Sequence, residues 1–178
     1  MPKHSKRPTT ARTHHEHKQQ APQQVACVVI TCSDTRTAET DTSGQLISRL
    51  LDEKGHRVAA YHLIKDEPVE IRAKIETAVK DQAVQAIIIN GGTGLSRRDS
   101  TFEAIDAMLE KRLDGFGEIF RYLSYQDIGS AAMMSRATAG LYRGRIIFST
   151  PGSEVAVRLA MEKLILPELG HIIRELTK

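Results

Sequence analysis

No stretch of this 178-residue chain approaches the ~20 consecutive apolar residues of a bilayer-crossing helix, which excludes a helical membrane span. The N-terminus lacks the apolar centre of a secretory signal, so the expected location is the cytoplasm. Its basic charge leaves a mitochondrial transit segment open, but Pro2, Pro8, Pro22 and a histidine cluster suit an amphipathic helix poorly. Cysteine is scarce. The two present, Cys27 and Cys32, lie five apart on one expected strand, hence on opposite faces and roughly 16 Å from each other. They cannot pair with each other, and the spacing is not that of a metal site. Both read as buried thiols, Cys32 being the one placed to touch a ligand. No internal repeat is present.

Net charge is also missing from the body of the chain. Residues 1–24 carry Lys3, Lys6, Arg7, Arg12 and Lys18 against Glu16 alone. That tail accounts for +4 of a formal total of +3, leaving −1 for the rest. The basic pI therefore gives no argument for nucleic-acid binding by the folded part. The tail has too little apolar surface to repay ordering and is expected to be disordered, with one domain over residues 25–178. Within it, His14-His15-Glu16-His17 is either a weak metal binder or a solvated segment without function.

From Val25 the pattern changes. Val25 to Cys32 is a continuous β-prone run, as in a strand covered on both faces. Thr42 to Glu53 places Leu46, Ile47, Leu50 and Leu51 on one helical face, with Gly55 as a stop. His56 to Ile64 reads as a strand, Pro68 to about Gln82 as a helix and Val84 to Asn90 as a third strand. Ser100 to Glu110 reads as a helix, with Ser100 and Glu103 at capping-box spacing. Glycines 115, 117, 129 and 140 are expected to break residues 114–140 into short helical pieces. Arg145 to Ser149 is a further strand, followed by a helix from Glu154 that Pro167 should kink or restart. This alternation predicts an α/β fold: three layers around a mostly parallel sheet with right-handed crossovers.

Ligands of such sheets bind beyond the carboxyl ends of the strands. Here those ends lead into Ser33, Asp34 and Arg36, then Asp66 and Glu67, then Gly91-Gly92-Thr93-Gly94 with Arg97, Arg98 and Asp99, and then Thr150-Pro151-Gly152-Ser153. Four polar loops should crowd one rim. Three glycines in four residues forgo stability, which favours a phosphate cradle of backbone N–H groups over a plain connection. It is not a Walker A loop, since the Lys-Ser/Thr ending is absent, nor a dinucleotide fingerprint, since the glycine spacing differs. Other members of the rim have structural alternatives. Asp99 can cap the following helix, Asp66 can favour the N-terminus of the helix at Pro68, and Ser153 can be an N-cap. The methionines beyond Met1 read as packing residues.

Ser33-Asp34-Thr35-Arg36, Asp41-Thr42-Ser43-Gly44, Gly91 to Gly94, Arg98-Asp99-Ser100-Thr101, Gly115-Phe116-Gly117-Glu118, Leu123-Ser124 and Pro151-Gly152-Ser153 follow one another in an order that resembles the molybdenum cofactor biosynthesis protein B (MoaB/MogA) family. The resemblance covers residues 25 to about 175, and Ser33 to Gly44 look closer to the MoaB branch. It implies a molybdopterin-binding fold, trimers or hexamers, and, in active members, adenylylation of molybdopterin by Mg-ATP with release of pyrophosphate. The family's two functional aspartates fall on Asp66 and Asp99, implied to be catalytic and to hold Mg2+. Gly91, Gly92, Thr93, Gly94 and Arg98 would line the nucleotide and phosphate pocket, with Ser33, Asp34, Pro151, Gly152 and Ser153 near the pterin and Glu118 also at the site. Thr150 departs from the Leu that many members carry. A catalytically silent pterin carrier, or an unrelated nucleotide-binding regulator on a similar scaffold, are the competing readings.

Overall fold

The computed structural model describes residues 22–96 and 99–178. The tail up to residue 21, with its histidine cluster, and Arg97 and Arg98 lie outside the described residues.

Six strands form one sheet: β1 (Ala26–Cys32), β2 (Arg57–Ile64), β3 (Ala86–Asn90), β4 (Lys111–Arg112), β5 (Thr138–Tyr142) and β6 (Arg145–Thr150), in spatial order β2-β1-β3-β6-β5-β4. The first four in that order run parallel, and β5 and β4 add an antiparallel edge. The helices are α1 (Thr42–Glu53), α2 (Pro68–Lys80), α3 (Thr101–Asp106), α4 (Asp114–Ile128), α5 (Glu154–Ala160) and α6 (Leu166–Leu176).

Strand residues alternate between two buried layers. Cys27, Val29, Ala86, Ile88, Ile146 and Phe148 pack with α1, α4, α5 and α6. Val28, Ile30, Cys32, Ile87, Ile89 and Ile147 pack with α2 and α3. This is the expected three-layer α/β arrangement, and it puts the two cysteines on opposite faces. Both thiols are buried and unpaired. Burial pushes each up to about 12, so neither is a thiolate near neutral pH.

Residues 114–140 depart from expectation. Instead of short pieces, α4 runs unbroken for 15 residues, followed by a 3₁₀ segment (Gly129–Met134) and then β5. Gly115 and Gly117 fall in its first turn, where they interrupt little, and Phe116 and Phe120 anchor it in the core. The Phe116 ring lies 5.3 Å from that of Phe148, centroid to centroid. Pro167 behaves as expected: a π-helical turn (Met161–Ile165) ends α5, and α6 starts afresh with proline in its first turn. Helix α3 is only six residues long, because the chain turns at Ala107 to pair β4 with β5.

The chain leaves β1 toward β2 on one side and returns to β3 on the other. The carboxyl ends of β1 and β3 therefore diverge at a topological switch point, where open α/β sheets leave a crevice.

Candidate functional site

A cavity of about 520 Å³ opens at that switch point. The loop after β1 contributes Ser33, Asp34 and Arg36; the loop after β2, Asp66; the loop after β3, Gly91 to Gly94 and Asp99; the loop after β6, Pro151 and Gly152. All four expected loops thus meet at one place. Cys32 lines the cavity too, as do Met134 and Ser135 from the 3₁₀ segment. Two expected residues are elsewhere. Glu118 is exposed on α4 and outside the cavity lining, and Ser153 caps α5, its hydroxyl accepting from Ala156 N–H at 3.3 Å. Arg98 lies outside the described residues.

The glycine turn is tight because its neighbours leave no room for side chains. Gly92 has φ +56°, and a Cβ there would sit 2.1 Å from Thr101 Oγ1 and 2.2 Å from Asp66 Oδ2. Gly152 is close-packed against the same turn, its imagined Cβ 2.9 Å from the Gly91 Cα. Thr101 N–H closes the turn by donating to Gly92 O at 3.0 Å.

Asp66 is buried, and its Oδ1 accepts from Thr101 Oγ1 at 2.8 Å, Ser100 Oγ at 3.2 Å and Ser100 N–H at 3.3 Å. It therefore satisfies the start of α3, not that of α2 as one sequence reading allowed. The expected capping box does not form. The Ser100 hydroxyl goes to Asp66, and Glu103 pairs with Arg136. Asp99 Oδ2 accepts from Ser96 N–H at 3.1 Å and Ser96 Oγ at 2.5 Å. Asp34 Oδ1 accepts from Asp66 N–H at 3.3 Å, tying the first rim loop to the second. Among the described residues, no three His, Cys, Asp or Glu side chains cluster closely enough to hold a metal by themselves. Two hard carboxylates on one cavity fit magnesium, which binds through one or two carboxylates and keeps its other positions for water and substrate phosphates.

Two clamps were not read from the sequence. Arg136 donates through Nε to Thr93 O at 2.8 Å and through a terminal nitrogen to Gly94 O at 2.6 Å, and its guanidinium stacks 4.7 Å from the Phe102 ring centroid. Its partner Glu103 is held below the usual carboxylate range, chiefly by that hydrogen bond. The carbonyls of the glycine turn are thus tied back. No local signal marks Arg136, because it lies 43 residues from Thr93. The second clamp centres on Asp41, fully buried at the N-terminus of α1. Its Oδ1 accepts from Gly44 N–H and Arg36, both at 3.1 Å, and its Oδ2 accepts from Tyr61 Oη at 2.5 Å. Arg36 in turn donates to Gly152 O at 2.7 Å, where Ser43 Oγ also donates at 2.8 Å. Asp41 and Arg36 were visible in the family motif but had no assigned role.

Burial would raise the Asp41 carboxyl, but hydrogen bonds from Thr31, Tyr61 and Gly44 and the charge of Arg36 outweigh it and hold it below its ordinary value. A depressed carboxylate stabilises the fold fully above its unfolded pKa of about 4, and that contribution disappears as pH falls through the lower folded value. Urea denaturation of the parent and Asp41→Asn should therefore show a stability gap at pH 6 that narrows below pH ~4. A gap independent of pH would refute the charge-linked role.

Thr150 does not line the cavity. Its hydroxyl is buried and directed to Ile89 O at 3.4 Å, so its departure from the common Leu is absorbed inside the sheet.

A sequence model of the family described as "Probable molybdopterin binding domain" matches residues 28–171. The chain belongs to this family. Among relatives of this molybdopterin-binding-domain family, "Molybdenum cofactor biosynthesis protein B" of Bacillus subtilis (strain 168) is 56% identical over 164 residues, covering 92% of this chain and 96% of that protein. A crystal structure of Molybdenum cofactor biosynthesis protein B superposes with TM-score 0.86 at 52% identity, covering 89% of this chain and 99% of the other. The tungsten cofactor synthesizing protein MoaB from Pyrococcus furiosus superposes with TM-score 0.79 at 36% identity, covering 89% and 100%. These likenesses agree with the family resemblance read from the motifs. No helix among the described residues is long and apolar enough to cross a membrane.

Proposed function

We propose that this protein serves molybdenum cofactor biosynthesis by binding molybdopterin and adenylylating its terminal phosphate with Mg-ATP. The carrying observation is the convergence of Asp66, Asp99, the Gly91–Gly94 turn and the Pro151–Gly152 loop on one cavity at the sheet's switch point. A pterin phosphate oxygen forms the new bond to the α-phosphorus of ATP; the bond from that phosphorus to the bridging oxygen breaks, and pyrophosphate leaves. The nucleophile needs no general base, because a phosphate monoester with second pKa about 6 is largely dianionic at pH 7. The obstacle is the mutual repulsion of anions. Magnesium, when bound, supplies charge neutralisation on the phosphates. Asp66 and Asp99 would hold it, and the backbone of Gly91 to Gly94, kept in shape by Arg136, would meet the phosphates. Ser33, Asp34, Pro151 and Gly152 would position the pterin; Arg98 would add charge. Ser153 serves as a cap in this reading, and Glu118 has no part within one protomer.

The test is product formation from anaerobic molybdopterin and Mg-ATP. Adenylylated pterin with stoichiometric pyrophosphate supports the enzyme. Bound pterin without product would make this chain a silent carrier.

A homo-oligomer belongs to the same reading. The outer face of α4 exposes Ile119, Tyr122, Tyr125 and Ile128, followed by Met133 at 77% exposure. Met161 and Met108 pack in or against the core as expected, whereas Met133 and Met134 are exposed, and with the α4 residues they form an apolar stripe that suits burial against another copy. Light scattering should give three or six times the chain mass of 19.8 kDa. A monomer would refute it.

A further inference from the structure

The cavity lining carries charge of both signs. Asp66 and Asp99 lie beside Gly92 and Gly94. Arg36 lies against Gly152, and among the described residues it is the one cationic side chain on the lining. Its side chain is 27% exposed, while its partner Asp41 is fully buried. A guanidinium has five N–H donors. The bonds to Asp41 and Gly152 O fix its position without using all five. The backbone beneath is also set: Ser33 Oγ accepts from Thr35 N–H at 3.3 Å and Arg36 N–H at 3.2 Å, curling the loop so that residue 36 stands on the rim. Burying a carboxylate is costly unless it is fully bonded. Here Tyr61, Gly44 and Arg36 all contribute, and the outcome is one guanidinium held in place on a lining whose other charged side chains, among the described residues, are Asp34, Asp66 and Asp99.

From this we infer that Arg36 is a substrate-binding residue that donates to a phosphoryl oxygen, with Asp41 as its positioning residue. The inference rests on the proposed function, in which both ligands carry phosphoryl groups: the pterin's terminal phosphate and the nucleotide's chain. A preorganised fork pays little ordering cost when it meets phosphate. The carboxylates of Asp66 and Asp99 would repel that same group unless a metal intervenes, so the guanidinium offers the phosphoryl an attractive contact on this lining.

The experiment measures dissociation constants of the folded protein for anaerobic molybdopterin and, separately, for α,β-methylene-ATP with magnesium. Parent, Arg36→Gln, Arg36→Lys and Asp41→Asn are compared, with circular dichroism and melting temperature as controls. Arg36→Gln should weaken one of the two ligands about tenfold or more, the loss of a charge-assisted bond, and the affected ligand identifies the source of the phosphoryl. Arg36→Lys should recover part of that loss, because the charge remains while the fork is gone. Equal loss in Lys and Gln would mean that only the Asp41–Gly152 bridge matters, and would overturn the inference, as would unchanged affinity for both ligands. If Arg36→Gln does not fold, Asp41→Asn decides: it should weaken one of the two ligands by a smaller factor, about threefold, and unchanged affinity for both overturns the inference. A parent that binds neither ligand sinks the proposed function itself. A parent that binds while the variants bind equally well sinks only the role of Arg36.

Discussion

Asp99→Asn should lower adenylylation about a thousandfold or more while leaving pterin binding largely intact. The reasoning is electrostatic. The substitution keeps the shape and the acceptor that holds Ser96, whose N–H and hydroxyl meet Asp99 Oδ2 at 3.1 and 2.5 Å. It removes only the negative charge through which this site would hold magnesium. Asp66→Asn should also lose turnover, and it should cost stability as well. Asp66 is 7% exposed and takes three hydrogen bonds on one oxygen from Ser100 and Thr101. Weakening such charge-assisted bonds costs about 1–3 kcal/mol in total. Product assays with melting curves on both variants separate the roles. Parent-like turnover in Asp99→Asn would remove that carboxylate from the mechanism. Equal melting temperatures for parent and Asp66→Asn would remove the structural claim.

Gly92→Ala should destabilise the fold by roughly 2–4 kcal/mol and abolish turnover together. The backbone at φ +56° is the left-handed region, which costs an L-residue about 1 kcal/mol. The larger part is collision. The new methyl would meet Thr101 Oγ1 at 2.1 Å and Asp66 Oδ2 at 2.2 Å, the pair that joins the glycine turn to the start of α3. Neither can retreat without breaking the Thr101–Asp66 bond of 2.8 Å. Gly55→Ala is the control. Its φ is +78°, but nothing lies within 4 Å of an added Cβ, so only the backbone strain of about 1 kcal/mol applies. If the two variants melt alike, the close approach at Gly92 has no energetic weight.

What sequence alone determined about this protein is the layer architecture and the rim. Continuous β-branched runs such as Val28-Val29-Ile30 read as strands buried on both faces, and Leu46, Ile47, Leu50 and Leu51 share one face of a helix. Their alternation with helices forces the strand ends to one side, so Asp66, Asp99, the glycine turn and Gly152 had to converge. These signals are local, set by periods of two and 3.6 residues. What tertiary structure decided is which polar atom meets which. The Ser100–Glu103 spacing gave a capping box on paper, but a carboxylate 34 positions away took the serine and an arginine took the glutamate. Helix α4 outlasted its glycines because Phe116 stacks on Phe120 and packs on Phe148 of β6 in the same buried layer. Arg136 and Arg36 became clamps on loops 43 and 116 residues distant. Hydrogen-bond partners chosen across such separations leave no period in the chain. They depend on where the sheet order β2-β1-β3-β6 sets the loops down, and only the folded molecule specifies that.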